Sequence, residues 1–123
     1  MSVEGLKRLQ VWVRAKDYAL EIYKQVLPLL PFDEKWNLDQ QLRRSSLSIS
    51  ANIAEGHGRK ATGAYLNHIS IALGSVMELE TQLQIALRLN FIDESTCTLL
   101  LSQSNEIGRM LGGLRKSISN QSE

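Results

Sequence analysis

The sequence predicts an all-α chain folded as an antiparallel up-down-up-down four-helix bundle. Three observations lead there: apolar residues recur at 3,4 spacing through four segments, short breaks separate those segments, and no run alternates with the period of two that strands need. In the first segment the spacing picks out Leu9, Trp12, Lys16, Ala19, Tyr23, Val26 and Leu30. Pro28 and Pro31 bracket its end, since proline lacks an amide hydrogen and disfavours a helical residue before it. Asp33 is then placed to cap a second helix, whose weaker seam is Leu38, Leu42, Ser45, Ile49 and Asn52. The closely spaced Gly56 and Gly58 break that helix, and the Thr62 hydroxyl is placed to cap a third. The third seam runs Leu66, Ile69, Leu73, Val76, Glu80, Leu83 and Leu87. Asn90 tolerates the left-handed conformation at its end, and Asp93 or Ser95 caps the fourth helix, with the seam Cys97, Leu100, Ser104, Ile107, Leu111, Leu114 and Ile118.

Helices of roughly 22 to 30 residues joined by short turns have to pack as antiparallel neighbours, because a short connection cannot carry the chain back along a helix. They form a single domain over residues 1–118, followed by a small polar tail, 119–123, that is expected to fray. A second stripe lies beside the first: Leu6, Val13, Leu20 and Leu27 recur every seven residues, as do Tyr65, Ala72, Leu79 and Ala86 on the third segment. Either these positions widen the intrachain face or they build a subunit interface on helices one and three, with Leu6, Val13, Leu20, Leu27, Tyr65 and Leu79 as its apolar contacts. Gly108, Gly112 and Gly113 each weaken a helix by ~1 kcal/mol relative to alanine, which suggests either the close approach of another backbone or flexible packing.

With 123 residues, 43% hydrophobic and 22% charged, the chain has room for one globular domain. Its formal charge of +1 writes no global attraction for nucleic acid or anionic lipid into the composition, so such binding has to come from a local patch. The lone Cys97 excludes an internal disulfide and a Cys-rich zinc site and fits a reducing compartment. No apolar stretch follows Lys7-Arg8, and none further on reaches the ~18 residues of a membrane span, so a soluble, cytoplasmic protein without membrane partners is expected.

Catalytic signatures are weak. A diiron bundle needs a Glu from each of two helices and Glu-x-x-His from each of the others. Here Gly58, Thr81 and Leu83 stand three residues after Glu55, Glu78 and Glu80, so no metal site is expected. His68, beside the seam residue Ile69, reads as a surface or hydrogen-bonded histidine. Gly56-x-Gly58 lacks the third glycine of a dinucleotide fingerprint, and Gly58-Arg59-Lys60 lacks the earlier glycine and the Ser/Thr of a P-loop. A plain helix-helix turn is the simpler reading, beside the binding of one phosphate at the start of helix three. Cys97 at a helix start reads as a packed thiol. No catalytic residue, metal or cofactor is assigned, and the chain is expected not to be an enzyme.

Two charges fall on apolar seams, Lys16 and Glu80, and a seam charge is costly to desolvate unless it is paired or reaches solvent. Ser104, level with Glu80 on the fourth helix, and a second-helix serine such as Ser45 are the expected contacts for Glu80. Asn52 lies nearer the level of Lys16. With Glu55, these polar groups are expected to be structural, fixing register. Residues 1–60 carry 10 basic and 7 acidic groups and residues 61–123 carry 4 and 6, so positive charge gathers in the first half. Arg43, Arg44, Arg59 and Lys60, on the second helix and the turn after it, are the candidate phosphate contacts; a solvated face is the alternative.

The stretch from Gln41 to Arg59, with its Ser48-Ile49-Ser50-Ala51-Asn52-Ile53-Ala54-Glu55-Gly56 core, and Glu78-Leu79-Glu80-Thr81-Gln82-Leu83 closely resemble the four-helix-bundle family encoded in intervening sequences of bacterial large-subunit ribosomal RNA genes. Leu9-Gln10-Val11-Trp12 with Ala15 is also similar, so the resemblance spans about Leu6 to Ile118. It implies a five-membered ring, a homopentamer, in which the second stripe is an interface. The accessory variability determinant of diversity-generating retroelements looks like a relative; it assists a reverse transcriptase and binds nucleic acid through a basic surface. Expected partners are accordingly further copies of the chain, RNA or DNA, and a reverse transcriptase. The function expected is a non-enzymatic oligomeric scaffold for structured nucleic acid or a nucleic-acid enzyme; the alternative is a ring-forming interaction module with no nucleic-acid role.

Overall fold

The computed structural model describes Gly5 and residues 9–121, and in them the predicted four helices: α1 (Gln10–Gln25), α2 (Leu38–His57), α3 (Thr62–Arg88) and α4 (Glu94–Gln121). No strand occurs among the described residues. The first two helices, at 16 and 20 residues, are shorter than expected because the two prolines take up more chain than a short turn. Pro28 sits inside one 3-10 turn, Leu27–Leu29, and Pro31 leads into a second, Phe32–Glu34. Asp33 is held in that second turn and does not cap α2. Glu34 does so instead, its carboxylate accepting from the Leu38 amide at 3.2 Å. At α3 the cap position belongs to Ala61 in extended backbone, and Thr62 is already helical.

The last connection forms as predicted. Asn90 takes φ 63°, and the Phe91 amide reaches back to the Ala86 carbonyl at 2.9 Å, closing α3 with a left-handed residue. The Asp93 carboxylate then accepts from the Thr96 amide at 2.8 Å and the Ser95 hydroxyl at 3.2 Å. Hydrogen bonds from Thr96 first, then Ser95, hold the Asp93 pKa below the usual carboxylate range. Because the folded value is depressed, the cap's contribution is present above the unfolded pKa and lost as pH falls through the folded one. The Tm gap between the wild type and Asp93→Ala is therefore expected to narrow on acidification; a gap that held constant from neutral to acid pH would contradict this. α4 continues through Gln121, into the 119–123 tail expected to fray, with no glycine or proline after Gly113 to stop it.

α2 packs between α1 and α3, and α4 between α3 and α1, closing the bundle. Cross-helix bonds run in antiparallel order: from Arg14 to Tyr18 on α1 the partners on α4 go back from Glu106 to Leu100, and from Ser48 to Asn52 on α2 the partners on α3 go back from Ser75 to His68. The α4 seam is buried as predicted except for the half-buried Leu114. On α1 the buried face is Val11, Ala15, Tyr18, Ala19 and Ile22, one position away from much of the predicted seam. Trp12 and Tyr23 are half-buried, and Lys16 lies in water with its ammonium 4.0 Å from the centre of the Trp12 ring. Both stripes of α3 enter the core, Ile69, Val76 and Leu83 beside Ala72, Leu79 and Ala86, since this helix packs against a neighbour on each side.

The glycines divide into two kinds. A β-carbon added at Gly56 would meet His68 Cβ at 2.8 Å and Tyr65 Cδ1 at 2.9 Å, so α2 and α3 approach closely there. At Gly108, Gly112 and Gly113 nothing stands within 4 Å, and the close backbone approach suggested for them is not made among the described residues.

Candidate nucleic-acid interface

The four candidate cations are set by α2. Arg43 and Arg44 sit in its second turn, whereas Arg59 and Lys60 lie beyond its last residue, His57, so about 21 Å of straight helix separates the two pairs. They form two clusters instead of one patch. Arg43 pairs with the Asp39 carboxylate one turn earlier and stacks 5.1 Å from the centre of the Tyr23 ring. That hydrogen bond to Asp39 raises its already high pKa further. Arg44 donates to Gln41 at 2.7 Å and across to Glu78 of α3 at 3.1 Å. Arg59 reaches back to Glu55 at 3.0 Å. Lys60 is exposed. All three guanidiniums keep roughly half of their side-chain surface in water.

Between the two clusters runs a feature that the apolar seams do not reveal, a ladder of polar contacts along the antiparallel α2–α3 pair. From one end it reads Arg44–Glu78, Ser48–Ser75 at 2.8 Å, Asn52–His68 at 3.0 Å and His57–Tyr65 at 3.2 Å. Asn52 also donates to the Ser48 carbonyl at 2.9 Å and hydroxyl at 3.0 Å, so both ends of its amide are used. Burial raises the Tyr65 pKa. For three of the four rungs the signal was present as spacing: Arg44, Ser48 and Asn52 recur every four residues along one flank of α2, with His68, Ser75 and Glu78 in reverse order on α3.

The polar residues expected to be structural therefore have different partners. Asn52 belongs to this ladder, away from Lys16, and the exposed Glu55 pairs with Arg59. Glu80 accepts from the Ser104 hydroxyl, as level matching predicted. Ser45 is not its second contact, for the Ser45 hydroxyl is buried without a hydrogen-bond partner. Beside Ser104, burial pushes the Tyr18 hydroxyl far above the usual phenol range. Cys97 is a packed thiol, its Sγ 3.8 Å from the Leu83 carbonyl oxygen and its pKa raised first by burial. Among the described residues, no group of three His, Cys, Asp or Glu side chains could hold a metal ion, and no helix is long and apolar enough to cross a membrane.

The expected interface residues scatter. Leu6 lies outside the described residues; Val13 is half-buried; Leu20 is 53% exposed. Leu27 and Leu79 are core residues, because the first 3-10 turn folds Leu27 inward and Leu79 faces both neighbours of α3. Tyr65 is half-buried against His57, the rings meeting edge to face. The exposed apolar side chains of α3 are instead Ile71, Met77 and Ile85, with Leu89 just past its end.

The sequence profile of the 23S rRNA-intervening sequence protein family matches residues 7–113. The chain belongs to that family. A similar solved structure, at 1.70 Å resolution, is a protein of unknown function from the S23 ribosomal protein family of Bacteroides thetaiotaomicron VPI-5482. It is 26% identical with a TM-score of 0.79, and the alignment covers 86% of this chain and 98% of the other. No curated protein matches. The bundle is thus a fold shared with that neighbour.

Proposed function

We propose that this family member is a non-enzymatic scaffold, assembled as a ring of its own copies, that holds structured RNA or DNA, or an enzyme such as a reverse transcriptase working on it, against the cations of α2. The observation that carries the reading is the outer side of α3. At the helical repeat Ile71, Ile85 and Leu89 fall within about 40° of one another, so three large apolar side chains share one exposed flank that the bundle's own core does not use. In a ring the Arg43–Arg44 and Arg59–Lys60 clusters repeat around the assembly, and weak phosphate contacts add through avidity.

A gel shift across a salt series tests the nucleic-acid part. Affinity is expected to fall steeply with salt, and Arg43→Ala/Arg44→Ala to reduce the slope of log affinity against log salt by about 2 in magnitude. One observation favours the second reading, a ring-forming interaction module with no nucleic-acid role: Arg43, Arg44 and Arg59 already face carboxylates. No complex at low salt decides for that reading.

A further inference from the structure

We infer that the connection between α1 and α2 is a stacking site for one unpaired nucleotide of a single strand. The inference rests on the nucleic-acid reading above and shares Arg43 with it, but adds Phe32, Lys35, Trp36 and Gln40. Pro31, in extended backbone, starts the Phe32–Glu34 turn, and Phe32 and Trp36 both border one recess beside this connection. Both stand in water, Phe32 82% and Trp36 72% exposed, although such rings are ordinarily the first side chains a fold buries. The connection is tied to the start of α2: Glu34 holds the Leu38 amide, and the Asn37 side-chain amide donates to the Asp33 carbonyl at 3.4 Å. The rings border an open recess of about 420 Å³, whose walls include Lys35, Gln40 and Arg43.

The charges around this recess suit an anion carried by a flat ring. The Lys35 ammonium lies 5.8 Å from the Phe32 ring centre and 5.3 Å from that of Trp36, with no carboxylate in ion-pairing distance among the described residues. Arg43 forms the far wall, fixed between Asp39 and Tyr23, and the one carboxylate lining the recess is taken up in that pair. A base stacked on the Trp36 or Phe32 face would place its phosphate between two cations, with the Gln40 amide at hand for a base edge. Bases inside a duplex present no free face. The site therefore takes loops, bulges and single strands, and complements the phosphate contacts of Arg44, Arg59 and Lys60.

Trp36 reports on its own ligand. In a Trp12→Phe background it is the sole tryptophan, and titration with a single-stranded oligouridylate is expected to quench its emission. Trp36→Ala is expected to weaken oligouridylate binding by roughly tenfold and to leave binding of the corresponding adenylate–uridylate duplex unchanged. Because Trp36 is exposed, circular dichroism is expected to show the variant fully folded. Duplex binding without oligouridylate quenching overturns this site and spares the scaffold reading, whereas no binding of either nucleic acid removes both. Equal quenching by inorganic polyphosphate overturns the stacking role in favour of a simple anion site. A blue shift that grows with protein concentration alone assigns the rings to a second copy of the chain, and also overturns it.

Discussion

Leu79→Ala is expected to lower the unfolding free energy by about 2–5 kcal/mol, the cost of an unfilled cavity in a close-packed interior. Leu79 is 0% exposed within a single copy, at the centre of the face that α3 turns toward α2 and α4. Urea unfolding at several protein concentrations measures the effect. The deficit should be the same at each concentration, because the lost contacts are intrachain. A variant that unfolds like the wild type yet dissociates on dilution would return Leu79 to the subunit interface, where the heptad spacing alone had allowed it. Leu20→Ala is the comparison: at 53% exposure it removes little from the core, so any effect it has belongs to assembly.

Gly56→Ala is the second large effect. The new methyl would stand 2.8 Å from His68 Cβ and 2.9 Å from the Tyr65 ring, and His68 Cβ is fixed to the α3 backbone, so the two helices have to separate or the ladder beside them has to open. Overpacking of this kind costs about 1–3 kcal/mol and outweighs the gain of up to about 1 kcal/mol from replacing a helical glycine. Gly112→Ala controls for the propensity term: its β-carbon enters open space, so this substitution is expected to stabilise the chain. Thermal melts of the two variants should move in opposite directions. Parallel shifts would mean that the α2–α3 approach is looser than the geometry describes.

Much of this was legible in the residues themselves. The α4 seam was read correctly because apolar and polar positions alternate there without amphipathic side chains, and the last connection because Asn90 and Asp93 each do what their short polar side chains favour. The Glu80–Ser104 contact followed from counting helical rise in an antiparallel pair. On α1 the reading slipped by one position because Trp12, Lys16 and Tyr23 each have an apolar part and a polar end, and periodicity cannot tell which part faces inward. The first connection was placed correctly but its length was not, since two prolines three residues apart give two successive 3-10 turns. The polar ladder is not legible in either helix alone: Asn52 falls on the weak α2 seam and Ser48 and Ser75 on no seam, while the meaning of all three lies in the register between two helices.

The central claim is that a bundle complete in its own core keeps a further apolar flank for copies of itself. Sedimentation velocity on the wild type, at micromolar concentration and moderate salt, tests it most directly. The wild type is expected to sediment as one discrete species several times the 13.8 kDa chain mass, and to convert to smaller species when Ile71 and Ile85 are both replaced by aspartate without loss of helix content. A wild type that sediments throughout as a lone 13.8 kDa subunit would contradict it.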